Sequence, residues 1–221
     1  KCHIDETTGS TPVQYIEIHP NGEKKFTKYD RGVLEQFSLN DQQIKIMTEA
    51  DLIMTPVYWQ IYNVFEKVMN IDTKGKIAVD FSDFTTDPNF ELLENYADKI
   101  DIAFFGLSKN QKPMIDALEH LTTKYDVLII ITLGPDGSMG IKNGKTVSIP
   151  AIPVEEIVDT TGAGDGFISG FLTFCQEHKI TATNDFSAET LHEAVHFASQ
   201  IGAKACEKKG AFNALPYLSE L

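Results

Sequence analysis

The stretch Asp159–Phe171, DTTGAGDGFISGF, sets three small residues, Gly162, Ala163 and Gly164, directly ahead of an acid, Asp165, where an apolar helical pattern begins. Ile157 and Val158 read as the end of an extended segment, and Phe167, Ile168, Phe171, Leu172 and Phe174 recur at helical spacing. The first N–H groups of a helix lack internal partners and carry about half a positive charge, so a turn without bulky side chains lets an anion approach them. A carboxylate among those donors would repel the same anion as a ligand; it suits a neutral hydroxyl whose proton must leave. Together the groups fit phosphoryl transfer, with backbone amides steadying the moving phosphoryl while Asp165 orients and deprotonates the attacking alcohol. A structural reading of the same residues stays open: Gly162 and Gly164 permit tight packing and Asp165 caps the helix.

Other groups with chemical potential are fewer. His192-Glu193-Ala194-Val195-His196 satisfies HExxH, which places two imidazoles one helical turn apart beside a glutamate base. The same segment carries Leu191, Val195, Ala198 and Ile201 at apolar spacing, so the histidines are read as flanking a buried face. Glu207 and Glu220 are the acids available as a third ligand, and a zinc peptidase stands as an alternative. Gly144-Lys145-Thr146 ends like a P-loop, but the earlier glycine it requires falls on Met139, and Asn143-Gly144 signals a hairpin. Tyr58, Trp59 and Tyr62 read as packing at a helix start, and Lys24, Lys25 and Lys28 as a solvated ribbon face. Asp80 and Asp83 close a predicted parallel strand, the end where α/β ligands gather, and form a second tier for substrate or structure.

The elements that must position these groups follow from the apolar rhythm. VQYIEIHPNGEKKFTKYDRG (Val13–Gly32) has two partly alternating runs around Pro20-Asn21-Gly22, which predicts an antiparallel ribbon. From residue 51, DLIMTPVYW, KIAVDFSD, KIDIAFFG and VLIIITLG are short apolar runs separated by helical segments at Tyr58–Met69, Asn89–Ala97 and Pro113–Thr122. Parallel strands covered on both faces give that pattern, so an open α/β sheet, mostly parallel and flanked by helices, is expected. A hairpin at Asn143-Gly144 and helices over Gly164–His178 and Ser187–Lys208 complete the order, with no repeat or linker from residue 51 on.

With 221 residues, 42% of them hydrophobic, the chain can bury one large domain or a domain with a small appendage. A net charge of −13 repels polyanions, which points to a small-molecule partner and away from nucleic acid and anionic membranes. The longest apolar run, Val127–Leu133, is far short of the roughly 20 residues that span a bilayer, and no secretory pattern opens the sequence. Cys2, Cys175 and Cys206 lack metal-like spacing and are read as reduced thiols of a cytoplasmic protein.

DTT followed by GAGDGF resembles the C-terminal signature of the ribokinase-like (PfkB) carbohydrate kinases, and ITLGPDGS (Ile131–Ser138) resembles their nucleotide-binding turn, in matching order and separation. The likeness continues through KKGAFNALP and back through DFSD to TGSTPVQYIEIHPNGEKKF, so that it covers essentially the whole chain. Within the family, YDRGVLEQFSL, DFSD and the terminal GAF are most similar to bacterial fructosamine kinases. The resemblance implies a ribokinase-like fold, with residues 1–32 a β lid and 33–221 the nucleotide-binding and catalytic domain. It implies ATP-dependent phosphorylation of a sugar hydroxyl, the C6 hydroxyl of a fructosamine such as fructoselysine. By the same resemblance Asp165 is the base, Gly162, Ala163 and Gly164 line the anion hole, Thr132, Gly134 and Gly137 hold the nucleotide, and Ser199 lies near the adenine. Mg²⁺ would travel with ATP, and a monovalent cation such as K⁺ would sit at Asp159, Thr161 and Gly210. The ribbon would cover the sugar, Asp30 and Arg31 would touch the sugar or its amino-acid arm, and the exposed ribbon would support a homodimer.

The sequence departs from the family pattern in three places. Gly166 follows the base where Ser, Ala or Thr is usual, and SKNQ (Ser108–Gln111) lacks the acid of the family's Asn-x-x-Glu motif that helps place Mg²⁺ and phosphate. Family members also begin with a strand, a helix and a Gly-Gly stretch ahead of the position matched by Lys1. The N-terminal part of the fold is therefore expected to be missing, a sheet edge to be left exposed, and a non-catalytic nucleotide-binding domain is the alternative to an enzyme.

Overall fold

The structure, a computed structural model, describes residues 4, 6–18, 24–82 and 90–217. They form two compact units, the chain up to Asp51 with Val57–Gly75, and Leu52–Pro56 with Lys76 onward.

In the first unit β1 (Val13–Ile18) and β2 (Lys24–Asp30) pair antiparallel, as the alternating runs predict. Tyr15 faces Lys28 and Ile16 faces Phe26, so Thr27 is bulged out of the ladder. The expected Pro20-Asn21-Gly22 turn lies outside the described residues. Helix α1 (Asp41–Glu49) has no counterpart among the sequence expectations. Its start is fixed by a reciprocal cap: the Gln43 amide donates to Asn40 Oδ1 at 2.8 Å, and the Asn40 amide donates to Gln43 Oε1 at 3.0 Å. Helix α2 (Tyr62–Met69) buries Val64, Phe65, Val68 and Met69 on one face. Tyr62 bridges outward from buried Phe65 at 5.7 Å to Trp59 at 5.8 Å, and Trp59 is 67% exposed.

The second unit is built on a six-stranded sheet, in order β3 (Leu52–Pro56), β4 (Lys76–Asp80), β5 (Ile102–Gly106), β6 (Leu128–Thr132), β7 (Ser138–Lys142) and β8 (Lys145–Ile149). The first four are parallel, and β7 and β8 return antiparallel. Ile129, Ile130 and Ile131 of β6 are fully buried although their side chains alternate in direction, which is why this strand reads as an unbroken apolar run. Asn143 (φ +50°) and Gly144 (φ +67°) are both left-handed, the geometry of a two-residue hairpin turn, and this excludes a strand-to-helix P-loop there. At the other edge, among the described residues, β3 buries Ile53 and Thr55 and exposes Leu52 and Met54.

Helices α3 (Glu91–Tyr96), α4 (Lys112–Lys124), α5 (Ala163–Glu177) and α6 (Ala188–Ala205) complete the unit. Phe171 of α5 meets Phe104 of β5 edge-on at 5.7 Å within a core that also takes Phe167, Leu191 and Ala198. Close approach of α5 to α6 depends on small residues: a β-carbon on Gly170 would lie 2.6 Å from Ile201 Cγ1. Among the described residues, no helix is long and apolar enough to cross a membrane.

Candidate active site

Strand β6 ends at half-buried Thr132, and the next residues turn sharply. The Leu133 amide donates to the Gly137 carbonyl at 2.8 Å, and the Gly137 amide to the Gly134 carbonyl at 3.1 Å. Gly137 has φ +100°, and a β-carbon there would collide with the Ile149 carbonyl, so glycine is required. Gly134 is exposed with no atom near its open side. The preceding loop lies alongside: the Leu107 amide donates to the Thr132 carbonyl at 3.0 Å, and Lys109 Nζ is 4.0 Å from Asp136 Oδ1. SKNQ closes a small turn of its own, with Gln111 Oε1 accepting from the Ser108 amide at 2.7 Å.

At the start of α5, Gly162 is the N-cap with φ +84°. A β-carbon on it would lie 2.6 Å from Ala211 Cα, so the backbone needs glycine both for its dihedral and for the approach of residue 211. Gly166 donates its amide to the Gly162 carbonyl at 2.8 Å, closing the first turn, and the Gly164 and Asp165 amides precede it at the exposed helix end. Asp165 is exposed. Gly164 is exposed too, and nothing lies within 4 Å of where its β-carbon would be. The structural reading of these glycines therefore accounts for Gly162, which meets Ala211, and for buried Gly166, whose β-carbon would meet Leu215 and Ala205, but not for Gly164.

Asp159 ties this loop to the segment after α6. Its Oδ1 accepts from the Thr161 amide at 2.9 Å and the Thr161 hydroxyl at 2.7 Å, and its Oδ2 accepts from the Gly210 amide at 3.1 Å. The Val158 and Asp159 amides both donate to the Cys206 carbonyl, at 2.9 and 3.3 Å. Burial, then the nearby charges of Asp159 and Glu207, pushes the Cys206 thiol up, away from a reactive thiolate.

Two motifs some thirty residues apart meet through α6. Ser199 Oγ lies 2.8 Å from Ser138 Oγ at the end of the 132–137 turn, and a β-carbon on Gly202 would sit 3.1 Å from the Ala163 carbonyl at the start of α5. Ser138 and Gly202 were not singled out from sequence; the spacing of Ser199 and Gly202, three residues apart on a helix, is the signal that places them on one face.

The remaining candidates lie elsewhere. Asp80 ends β4, is 9% exposed, and accepts the Ser82 amide and hydroxyl at 2.7 Å each; Asp83 lies outside the described residues. Asp30 and Arg31 are exposed in the first unit, where Asp30 Oδ1 accepts from the Gly32 amide at 3.2 Å. His192 and His196 stack 6.4 Å apart on α6, beside its buried Leu191, Ala194, Val195 and Ala198. Glu207 pairs with Lys204 at 3.1 Å, and Glu220 lies outside the described residues. Among the described residues, no three His, Cys, Asp or Glu side chains converge as a metal site.

Comparison with known proteins gives a consistent picture. The family model described as pfkB family carbohydrate kinase matches residues 65–218. Fructoselysine 6-kinase of Escherichia coli (strain K12) is 26% identical over 171 residues, which cover 77% of this chain and 62% of that protein. Fructosamine kinase FrlD of Bacillus subtilis (strain 168) is 26% identical over 224 aligned positions, 99% of this chain and 72% of the relative. The chain thus spans less than two thirds of the length of the E. coli relative. Ribokinase from Giardia lamblia superposes with a TM-score of 0.73 at 17% identity, over 99% of this chain and 73% of that one. Aminoimidazole riboside kinase from Salmonella enterica, solved with aminoimidazole riboside and an ATP analog, gives 0.64 at 21% identity, over 89% and 69%. These likenesses establish a ribokinase-like fold.

Proposed function

The chain belongs to the pfkB family of carbohydrate kinases, and on that premise we propose that it transfers the terminal phosphoryl group of ATP to a sugar hydroxyl, the C6 hydroxyl of a fructosamine such as fructoselysine. The observation that carries the reading is the open, exposed face of Gly164 directly beside the exposed carboxylate of Asp165 at the start of α5. Asp165 accepts the proton of the attacking hydroxyl, whose oxygen bonds to phosphorus as the bond to the ADP oxygen breaks. The amides at Gly162 and Gly164 are assigned to the charge that gathers on the moving phosphoryl, and the Ala163 amide, which donates to the Thr160 carbonyl at 3.3 Å, would join them on exchanging that long bond for the phosphoryl oxygen.

Thr132, Gly134 and Gly137 receive the nucleotide, with Ser199 alongside their turn. Mg²⁺ would arrive on the ATP phosphates, keeping most of its waters. K⁺ belongs to the same proposal: Asp159, Thr161 and Gly210 are already drawn together by the Asp159 carboxylate, whose charge would attract a monovalent cation. Residues 1–32 are assigned the role of lid and of homodimer surface, Asp30 and Asp80 that of second-tier sugar contacts, and the setting is cytoplasmic.

The test is Asp165→Asn, assayed by coupled ADP release over a panel of sugars and fructosamines. Turnover is expected to fall by roughly 10²- to 10⁴-fold with ATP affinity by calorimetry retained. Near-normal turnover in that variant overturns the mechanism, and absence of turnover by the parent protein on every acceptor favours the non-catalytic nucleotide-binding alternative.

A further inference from the structure

Among the residues assigned to the nucleotide, Ser199 has a hydroxyl that is already spoken for. It donates to the Val195 carbonyl one turn back at 2.8 Å, and it lies 2.8 Å from the Ser138 hydroxyl. A hydroxyl has one proton, so with that proton on Val195 the Ser199 oxygen is the acceptor and Ser138 the donor. Ser138 is 3% exposed, directly follows Gly137, and stands opposite Thr132 in the β6–β7 ladder. A buried hydroxyl of this kind needs its partner, and Ser199 supplies it. Three residues further along the same helix face, Gly202 abuts the Ala163 carbonyl at the start of α5. A single turn of α6, about 5.4 Å of rise, therefore touches the nucleotide turn with one residue and the anion-hole turn with another.

We propose that Ser138 and Ser199 are a positioning pair: their hydroxyl-to-hydroxyl bond holds α6 in register against the 132–137 turn, and α6 in turn sets where the start of α5 stands relative to that turn. Ser199 then acts through Ser138 and not on the base of the nucleotide. The inference rests on the kinase reading above, because it concerns the spacing between the nucleotide and the phosphoryl-accepting amides. The two removals are not equivalent: without the Ser138 hydroxyl, Ser199 still donates to Val195, whereas without the Ser199 hydroxyl the buried Ser138 hydroxyl loses its acceptor, so Ser199→Ala should be the worse single variant. What is lost is the tie itself, and it is lost once.

The experiment compares Ser138→Ala, Ser199→Ala, the double variant and Ser199→Thr, each with ATP and with GTP as donor. Either alanine should lower kcat/KM by about 3- to 10-fold, the size of one neutral hydrogen bond. The double variant should fall no further than the worse single one, since both singles remove the same interaction. The ATP-to-GTP preference should stay within about twofold of the parent, and Ser199→Thr, which keeps the hydroxyl, should recover most of the loss. A change of donor preference in Ser199→Ala that Ser138→Ala does not share would overturn the proposal in favour of base contact. Multiplicative losses, or a lowered melting temperature with kcat/KM unchanged, would overturn it in favour of two separate or merely structural roles. If the parent turns over no acceptor, the kinase reading fails by itself, and calorimetric ATP and GTP dissociation constants of the same variants carry the same comparison. Binding of neither nucleotide by the parent overturns both.

Discussion

At the start of α5, glycine serves different ends at neighbouring positions, and substitution separates them. Gly162 holds φ +84° with the Ala211 backbone against it, so Gly162→Ala should cost at least about 1–2 kcal/mol for the left-handed dihedral, with the collision added. Gly164 lies inside the first helical turn with open space beside it. Alanine there should leave the fold intact or stabilise it by up to about 0.5–1 kcal/mol, because a helical alanine loses less backbone entropy than glycine. On the proposed mechanism the same methyl would stand where the phosphoryl group comes close to the amides, so Gly164→Ala should turn over at least tenfold more slowly, a barrier raised by about 1.4 kcal/mol. Urea melts and coupled ADP release measure the two effects separately. A Gly164→Ala protein as active as its parent would remove the phosphoryl group from that space.

The elements behind this turn carry a titration of their own. Cys175 lies on the buried face of α5, and burial pushes its thiol up to about 12 from an ordinary 9.0. A raised folded-state value means that the neutral thiol is favoured in the fold; the contribution is whole below pH 9.0 and is lost as pH rises from 9.0 towards about 12, where the unfolded chain ionises first. Within that window stability should fall by up to about 1.4 kcal/mol per pH unit on this account. Urea melts at pH 8 and pH 10 should show a smaller pH-dependent loss in Cys175→Ala than in the parent, and an equal loss in both would assign the alkaline sensitivity to other groups. Elements of this kind were legible to different degrees. Strands β4, β5 and β6 are legible because burial on both faces makes them continuous apolar runs, edge strand β3 because its apolar run persists although Leu52 and Met54 are exposed, and the β7–β8 turn because Asn143-Gly144 accepts two left-handed residues. Helix α1 is not, since DQQIKIMTE buries no residue and only Ile44, Ile46 and Met47 of its nine residues are apolar; the Asn40-x-x-Gln43 cap is the available signal. In the candidate site, the run from Gly162 to Asp165 stands out because the residues themselves are consecutive in sequence, whereas Ala211 and Gly202, which pack against them, are not. The Ser138–Ser199 bond spans 61 residues and the Gly202–Ala163 approach joins two helices, so both depend on tertiary packing that local pattern does not encode.

For the whole molecule, charge and partition into units bear on how a nucleotide is held. A net charge of −13 opposes a polyanionic ligand at long range, so on the proposed reading a nucleotide would be held by short-range main-chain donors, which salt screens little when they are partly desolvated. All the residues assigned to the nucleotide and the phosphoryl group, from Thr132 to Gly137 and from Asp159 to Asp165 with Ser199 and Gly210, belong to the second unit. A ligand that binds only the folded form stabilises what it binds by RT ln(1 + [L]/Kd), about 2.7 kcal/mol at a hundredfold excess over Kd. In amide hydrogen exchange that increment should appear in the second unit, in β6 and the first turns of α5, while α1 and α2 of the first unit exchange as before when nucleotide is added without a sugar. The same protection should persist at about 0.5 M salt, where the screening length is only a few Å and a field-driven attraction would have faded. Protection confined to the first unit, or abolished by that salt, would mean that the nucleotide is held by something other than the glycine-lined turns at the ends of β6 and α5.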